Sequence, residues 1–249
     1  MGIRSNTKKM ILIKQEDILH KAQILRLLAG IVDNPILSSS LHFKGGTCAS
    51  MLGFLDRFSV DLDFDLLKET DKRKLNSEFR KLYKKLDLEI ISDKRGALFY
   101  VVKYKAPKNQ RNTLKVSVTD EVYTSNVYKV VMLPEINRLI SCQTIETMFA
   151  NKLVATTDRY KKHEKIAGRD IYDVHHFFSK GYKFNPKIIE ERTDMKVGEY
   201  IRYLADFIEE KVTERTIAED LNTLLPYEKF KKIRKILKPE TLIFLRSLA

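Results

Sequence analysis

Two aspartates, Asp61 and Asp63, stand two residues apart in an otherwise apolar run, Phe58-Ser-Val-Asp-Leu-Asp-Phe64. The alternation predicts a strand, on which both carboxylates leave by the same face, roughly 6.5–7 Å apart along the chain. Two same-side carboxylates suit a hard, oxygen-seeking cation: Mg²⁺ above all, with Mn²⁺ as the alternative. Upstream, Lys44-Gly45-Gly46-Thr47 closes a short strand and leads into a helix over Thr47 to Leu52. The glycines allow a sharp turn and close approach to a ligand. Free N–H groups at such a helix start form a phosphate cradle. Ser59, beside the acid pair, is placed to bind phosphate or to cap the turn into the strand. Cradle and carboxylates together are equipment for nucleotide chemistry. The plainer reading is a glycine turn and a solvated strand face. Against it, Phe58, Val60, Leu62 and Phe64 make one side of that strand core.

In this order the segments resemble the first motif of nucleotidyltransferases with the DNA polymerase β fold. In detail they resemble the AbiEii toxin family of bacterial type IV toxin–antitoxin systems, MenT-like toxins included. That family writes Lys-Gly-Gly-Thr, a helix, then Arg-x-Ser-x-Asp-x-Asp-Phe. Here it stands as Lys44-Gly45-Gly46-Thr47 and Arg57-Phe58-Ser59-Val60-Asp61-Leu62-Asp63-Phe64. The resemblance implies an α+β fold: a polymerase β-like nucleotidyltransferase domain with a mixed sheet, followed by a C-terminal helical bundle. It also implies an NTP substrate, a tRNA 3′ end as acceptor, a cognate antitoxin and growth inhibition.

A second set of residues lies downstream. Lys152 and Arg159 are seven apart, so a continuous helix puts them on one face, roughly 10.5 Å from each other. Asp170 and Asp173, at i and i+3, also share a face. This is either an interhelical ion-pair network or a triphosphate clamp, in which cations offset charge during phosphoryl transfer. AbiEii-like proteins carry a Lys, later an Arg, then Arg-Asp-x-x-Asp, matched here by Lys152, Arg159 and Arg169-Asp170-Ile171-Tyr172-Asp173. The match implies catalytic or nucleotide contacts for Lys152 and Asp170, and a structural role for Asp173. One position departs from the wider pattern, which sets a third carboxylate on a later strand. The candidate strand, Leu114 to Val118, presents Ser117, a poor metal ligand. Either the third acid is missing or Asp120 supplies it.

The chain has 249 residues and a net charge of +13, a balance that favours polyanions such as RNA, DNA or nucleotides. Its length fits a core domain over 1–140 and a helical domain over 141–249 that completes the nucleotide site. No apolar run approaches a membrane span, and no signal segment is present, which points to the cytoplasm. Cys48 and Cys142 lack a Cys-x-x-Cys context and read as small buried residues. The histidines form no zinc pattern, and the rings of His175 and His176 diverge on a helix.

Periodicity predicts a basic start over 1–14, loose or an edge strand. A helix follows over 15–31, with a stripe of Ile18, Ala22, Leu25, Leu28 and Ala29. Pro35 breaks it. A second helix is capped by Thr70, with Leu75, Phe79, Leu82 and Leu86 buried and its many lysines and arginines either a plain wet face or a nucleic-acid contact. Strands are expected at 88–91, 98–104, 114–118 and 127–132. Pro134 marks the change to a mostly helical half from Ile145, with Tyr160 to Gly168 a lysine-rich loop. The last two helices are expected over 227–237 and 239–248, the latter opened by Pro239.

Two other functions fit the same residues. A metal-dependent nuclease would use Asp61, Asp63 and a lysine, but lacks a general base and leaves the cradle without a task. A non-enzymatic nucleic-acid binder would leave the acids structural.

Overall fold

The computed structural model describes residues 15–67, 70–94 and 96–248; the basic start over 1–14 lies outside them. In chain order the elements are α1 (Ile18–Asp33), α2 (Pro35–Ser38), β1 (Leu41–Lys44), α3 (Gly45–Met51) and β2 (Asp61–Leu66). Then come α4 (Lys72–Lys85), β3 (Glu89–Asp93), β4 (Leu98–Lys103), β5 (Thr113–Thr119), β6 (Tyr128–Leu133) and β7 (Arg138–Gln143). The chain continues as α5 (Ile145–His163), α6 (Gly168–Ser179), α7 (Pro186–Thr193), α8 (Val197–Lys211), α9 (Glu214–Leu221) and α10 (Tyr227–Arg246).

The strands form one mixed sheet in the order β3-β4-β5-β2-β1-β7-β6. β2 runs parallel to β5 and antiparallel to β1. Side chains alternate between faces of a strand, so this register sorts residues across the whole sheet. Leu62 and Phe64 share the buried face with Val116 and Val118 of β5 and Phe43 of β1. Phe79 and Tyr83 of α4 pack on Tyr100 of β4, with ring centroids 5.3 and 5.2 Å apart, and so cover that face. The opposite face gathers Asp61, Asp63 and Asp65 with Lys115, Ser117, Lys44 and His42. Helices α5 and α6 bring Lys152, Arg159, Arg169 and Asp170 to one cavity with Asp61 and Asp63. Their buried residues belong to the same apolar core as those of the sheet. Among the described residues, no helix is long and apolar enough to cross a membrane.

The fold departs from the expected elements in several places. β7 was not anticipated: Pro134 sits in the tight connection to β6, where Asn137 takes φ +52°, and does not begin the helical half. The buried stripe of α1 is His20, Ile24, Leu27, Leu28 and Ile31, whereas Ile18 is exposed. A histidine heads that stripe because Val60 O and the Tyr104 hydroxyl satisfy its ring nitrogens, at 2.9 and 2.6 Å. Asp71, not Thr70, caps α4 through the N–H of Arg73 and Lys74. α5 runs on to His163, through the first part of the expected loop, and ends on Glu164 in the left-handed region. α10 continues through Pro239 without a break. Cys48 and Cys142 are free and buried. His175 turns to Glu240 and His176 to Asp56, so the two rings do diverge.

Candidate active site

Asp61 and Asp63 are half-buried and line a small polar cavity of ≈ 140 Å³. Gly46, Ser59, Lys115, Lys152, Arg159 and Arg169 line it with them. Burial and the adjacent Asp61 charge hold the Asp63 carboxyl above its ordinary value. On β5 the register sets Ser117 opposite Asp63 and Lys115 opposite Asp61. Lys115 Nζ lies 3.1 Å from Asp61 Oδ2. Asp120 does not supply a third acid. It is exposed, pairs with Lys72 and lines neither cavity of the site. Among the described residues no group of three or more acids, histidines or cysteines is placed to hold a metal. The donor set is two same-face carboxylates without sulfur or imidazole. That fits one hard divalent cation, which would relieve the repulsion between them.

The glycines of the cradle have a reason visible in the packing. Gly45 takes φ +78°, and a Cβ there would lie 2.6 Å from Asp63 Oδ2. A Cβ at Gly46 would lie 2.8 Å from Ser59 Oγ and 3.0 Å from Arg57 Nη2. Only glycine lets the start of α3, which begins at Gly45 and not Thr47, abut the acid strand. The Thr47 hydroxyl donates to Asp61 O and meets Ser59 Oγ at 3.0 Å, so it fastens the beginning of β2. Lys44 Nζ sits 2.5 Å from Asp65 Oδ1.

Lys152 and Arg159 do share a helix face, and both reach Asp170: Lys152 Nζ to Oδ1 at 2.8 Å, Arg159 Nε to Oδ2 at 3.0 Å. Lys152 Nζ also lies 3.0 Å from Asp173 Oδ2. Asp173 receives two further bonds from buried Arg57, at 2.6 and 2.7 Å. Burial alone would lower the Lys152 ammonium; Asp170 and Asp173 outweigh it and hold the group above its ordinary value. Burial would raise Asp170; Lys152 and Arg159 outweigh it and keep the carboxyl well below the usual range. The network and the clamp are thus one object: Lys152, Arg159 and Asp170 line the cavity with Asp61 and Asp63, and Asp173 lies behind them.

Residues 26–238 match the family described as "Nucleotidyl transferase AbiEii toxin, Type IV TA system". The chain belongs to this family of nucleotidyltransferase toxins. No curated protein matches it. Three solved structures share the fold of this toxin. A candidate nucleotidyltransferase from H. pylori gives a TM-score of 0.60 at 20% identity, covering 95% of this chain and 96% of that one. JHP933 from Helicobacter pylori gives 0.57 at 20% identity, covering 95% of each. MenT4, a nucleotidyltransferase toxin from Mycobacterium tuberculosis H37Rv, gives 0.55 at 15% identity, covering 94% of this chain and 85% of that one.

The toxin's structure gives a place to Arg57 and Arg169, which stand in its two motifs, and adds Asp65 and Lys115. Arg57 ties the loop before β2 to α6 through Asp173; its place in the first motif was the available signal. Asp65 continues the alternation of Asp61 and Asp63, and Lys44, Tyr128 and Gln143 bond it. Arg169 lines the small cavity. Lys115 carried no signal, because the partner of a strand cannot be read from its own alternation. A larger cavity of ≈ 400 Å³ opens on the other side of Asp63, Lys152 and Arg159. Tyr123, Asn126, Gln143, Asn151 and Arg192 line it. Between Tyr123 and Asn126 the chain is fastened by Glu191, which accepts from the N–H groups of Thr124 and Ser125 and from the Thr124 hydroxyl at 2.7–2.9 Å. Burial would raise the Glu191 carboxyl; these bonds outweigh it and bring it down to about 2.

Proposed function

We propose that this toxin transfers a nucleoside monophosphate from an NTP to an RNA hydroxyl, the 3′ end of tRNA, with Mg²⁺ or Mn²⁺ as cofactor. One observation carries the reading: the acid pair and the cationic pair Lys152–Arg159 line a single polar cavity. In the proposed reaction the acceptor oxygen forms a bond to the α-phosphorus, the bond from that phosphorus to pyrophosphate breaks, and the hydroxyl proton passes to solvent. Asp61 and Asp63 would hold the cation, which when bound polarises the α-phosphate and lowers the pKa of the attacking hydroxyl. Backbone N–H groups of Gly45, Gly46 and Thr47, with Lys44 and Ser59, would hold phosphates. Lys152 and Arg159 offset triphosphate charge, and Asp170 fixes both. A division at residue 140 would cut β7, so we place it after Gln143, with Asp61 and Asp63 from the sheet part and Lys152 and Arg159 from the helical part. The larger cavity, with its amides and Tyr123, suits the nucleoside.

Incubation with labelled NTPs, each in turn, Mg²⁺ and total tRNA tests this. RNA that lengthens and takes up label is the expected result. RNA that shortens would establish the nuclease alternative instead, and toxicity retained by Asp61→Ala/Asp63→Ala would remove the enzymatic reading.

A further inference from the structure

We infer that Lys115 is a fixed second cation of the active site, standing where a paired-metal site would hold its second ion, so that the centre takes a single divalent cation. This deepens the nucleotidyl-transfer reading above and rests on it. Paired-metal phosphoryl transfer sets two ions about 3.5–4 Å apart, each with its own oxygen ligands. Here β2 puts three carboxylates on this face, but Lys44, Tyr128 and Gln143 already bond Asp65, which leaves Asp61 and Asp63; β5, in register beside β2, offers none. Ser117 stands opposite Asp63, and Lys115 opposite Asp61. Lys115 Nζ, 3.1 Å from Asp61 Oδ2, already occupies one of the oxygens a second ion would need. An ammonium is a compact point charge, and at this range it repels a second divalent ion. The same ammonium lines the small cavity with Lys152, Arg159 and Arg169, so a phosphate chain lying there meets it directly. Lys115 thus applies positive charge to the transferring phosphate and, unlike a metal ion, does not dissociate.

The test is Mn²⁺ titration followed by electron paramagnetic resonance on the full chain, with the α,β-methylene analogue of each ribonucleoside triphosphate. Wild type is compared with Lys115→Met, Lys115→Arg and Lys115→Met/Ser117→Asp, each first checked by a thermal melt. The wild type should bind one Mn²⁺. Lys115→Met should bind its ion about tenfold more tightly, with the competing charge gone, and lose about 100-fold in transfer. Lys115→Arg should keep the single ion and much of the transfer. The double variant should bind two ions with a spin-coupled signal. Two ions in the wild type, or unchanged Mn²⁺ affinity in Lys115→Met, would overturn the role of Lys115 while leaving the transfer reaction standing. A wild type that binds no ion and transfers nothing would remove both.

Discussion

The site contains two pairs of aspartates with opposite electrostatics. Asp170 and Asp173 are almost completely buried, yet Arg57, Lys152 and Arg159 surround them, and Asp170 stays ionised far below its ordinary value. Asp61 and Asp63 are more exposed, yet among the described residues only Lys115 forms an ion pair with them, and Asp63 is pushed upward by burial and by its neighbour's charge. Accessibility therefore does not decide which carboxylate carries unbalanced charge; the count of cations within reach does. The helical pair is already neutralised and serves to hold cations in place. The strand pair keeps negative charge in excess, which is the condition for attracting a metal ion from solution.

If that contrast is right, neutralising the strand pair should abolish chemistry without harming the fold. Asp63→Asn should lower nucleotidyl transfer by about 10³-fold or more. It should also raise the melting temperature of the metal-free protein. A carboxyl whose folded value is raised costs stability as pH climbs from its unfolded value, near 3.8, towards the folded one. A lower melting temperature at pH 7 would break the contrast at its first term.

The helical pair should behave in the opposite way. Asp173→Ala leaves the buried Arg57 charge without its two-bond partner and should cost about 3–5 kcal/mol in urea unfolding. A loss of stability no larger than that of an exposed alanine substitution would show that the pair is not structural.

A pH series sharpens the comparison further. Asp170 has a folded value below the unfolded 3.8, so its stabilisation is fully present above that value and is lost as pH falls through the folded one. Stability of the wild type should fall with acid in that window, and Asp170→Asn should flatten this part of the curve. The same variant should weaken NTP binding, because Lys152 and Arg159 lose the group that fixes them.

The smallest effect is expected at Asp120, the acid that lies in neither pair. Its contact with Lys72 is an exposed ion pair. Asp120→Ala should change stability by less than about 0.5 kcal/mol and leave transfer within about twofold of wild type. A large loss of activity there would make it the third acid after all.

Much of this site could be read from short-range pattern. Period-two alternation put Asp61 and Asp63 on one face, helical spacing put Lys152 with Arg159 and Asp170 with Asp173, and glycine at 45 and 46 signalled a sharp turn. Each of these is local, set by strand or helix geometry over a few residues. Other features resisted reading for equally physical reasons. β7 is a six-residue strand hidden behind a proline that turned out to belong to a hairpin. The stripe of α1 was misplaced because its first buried residue is His20, polar in sequence and apolar in effect once both ring nitrogens are bonded.

The sequence by itself determined the chemistry on offer: an acid pair on a strand, a glycine turn before it, a cationic pair on one helix face and an acidic pair on another. Those relations survive in any fold that keeps the local elements. Tertiary structure alone decided what each group faces. The parallel pairing of β2 with β5 brought Lys115 to Asp61 and left Ser117, not an acid, opposite Asp63. The packing of α6 on the loop before β2 gave Arg57 its partner in Asp173. Such contacts join residues more than fifty positions apart, and no local periodicity encodes which strand or helix will lie alongside another.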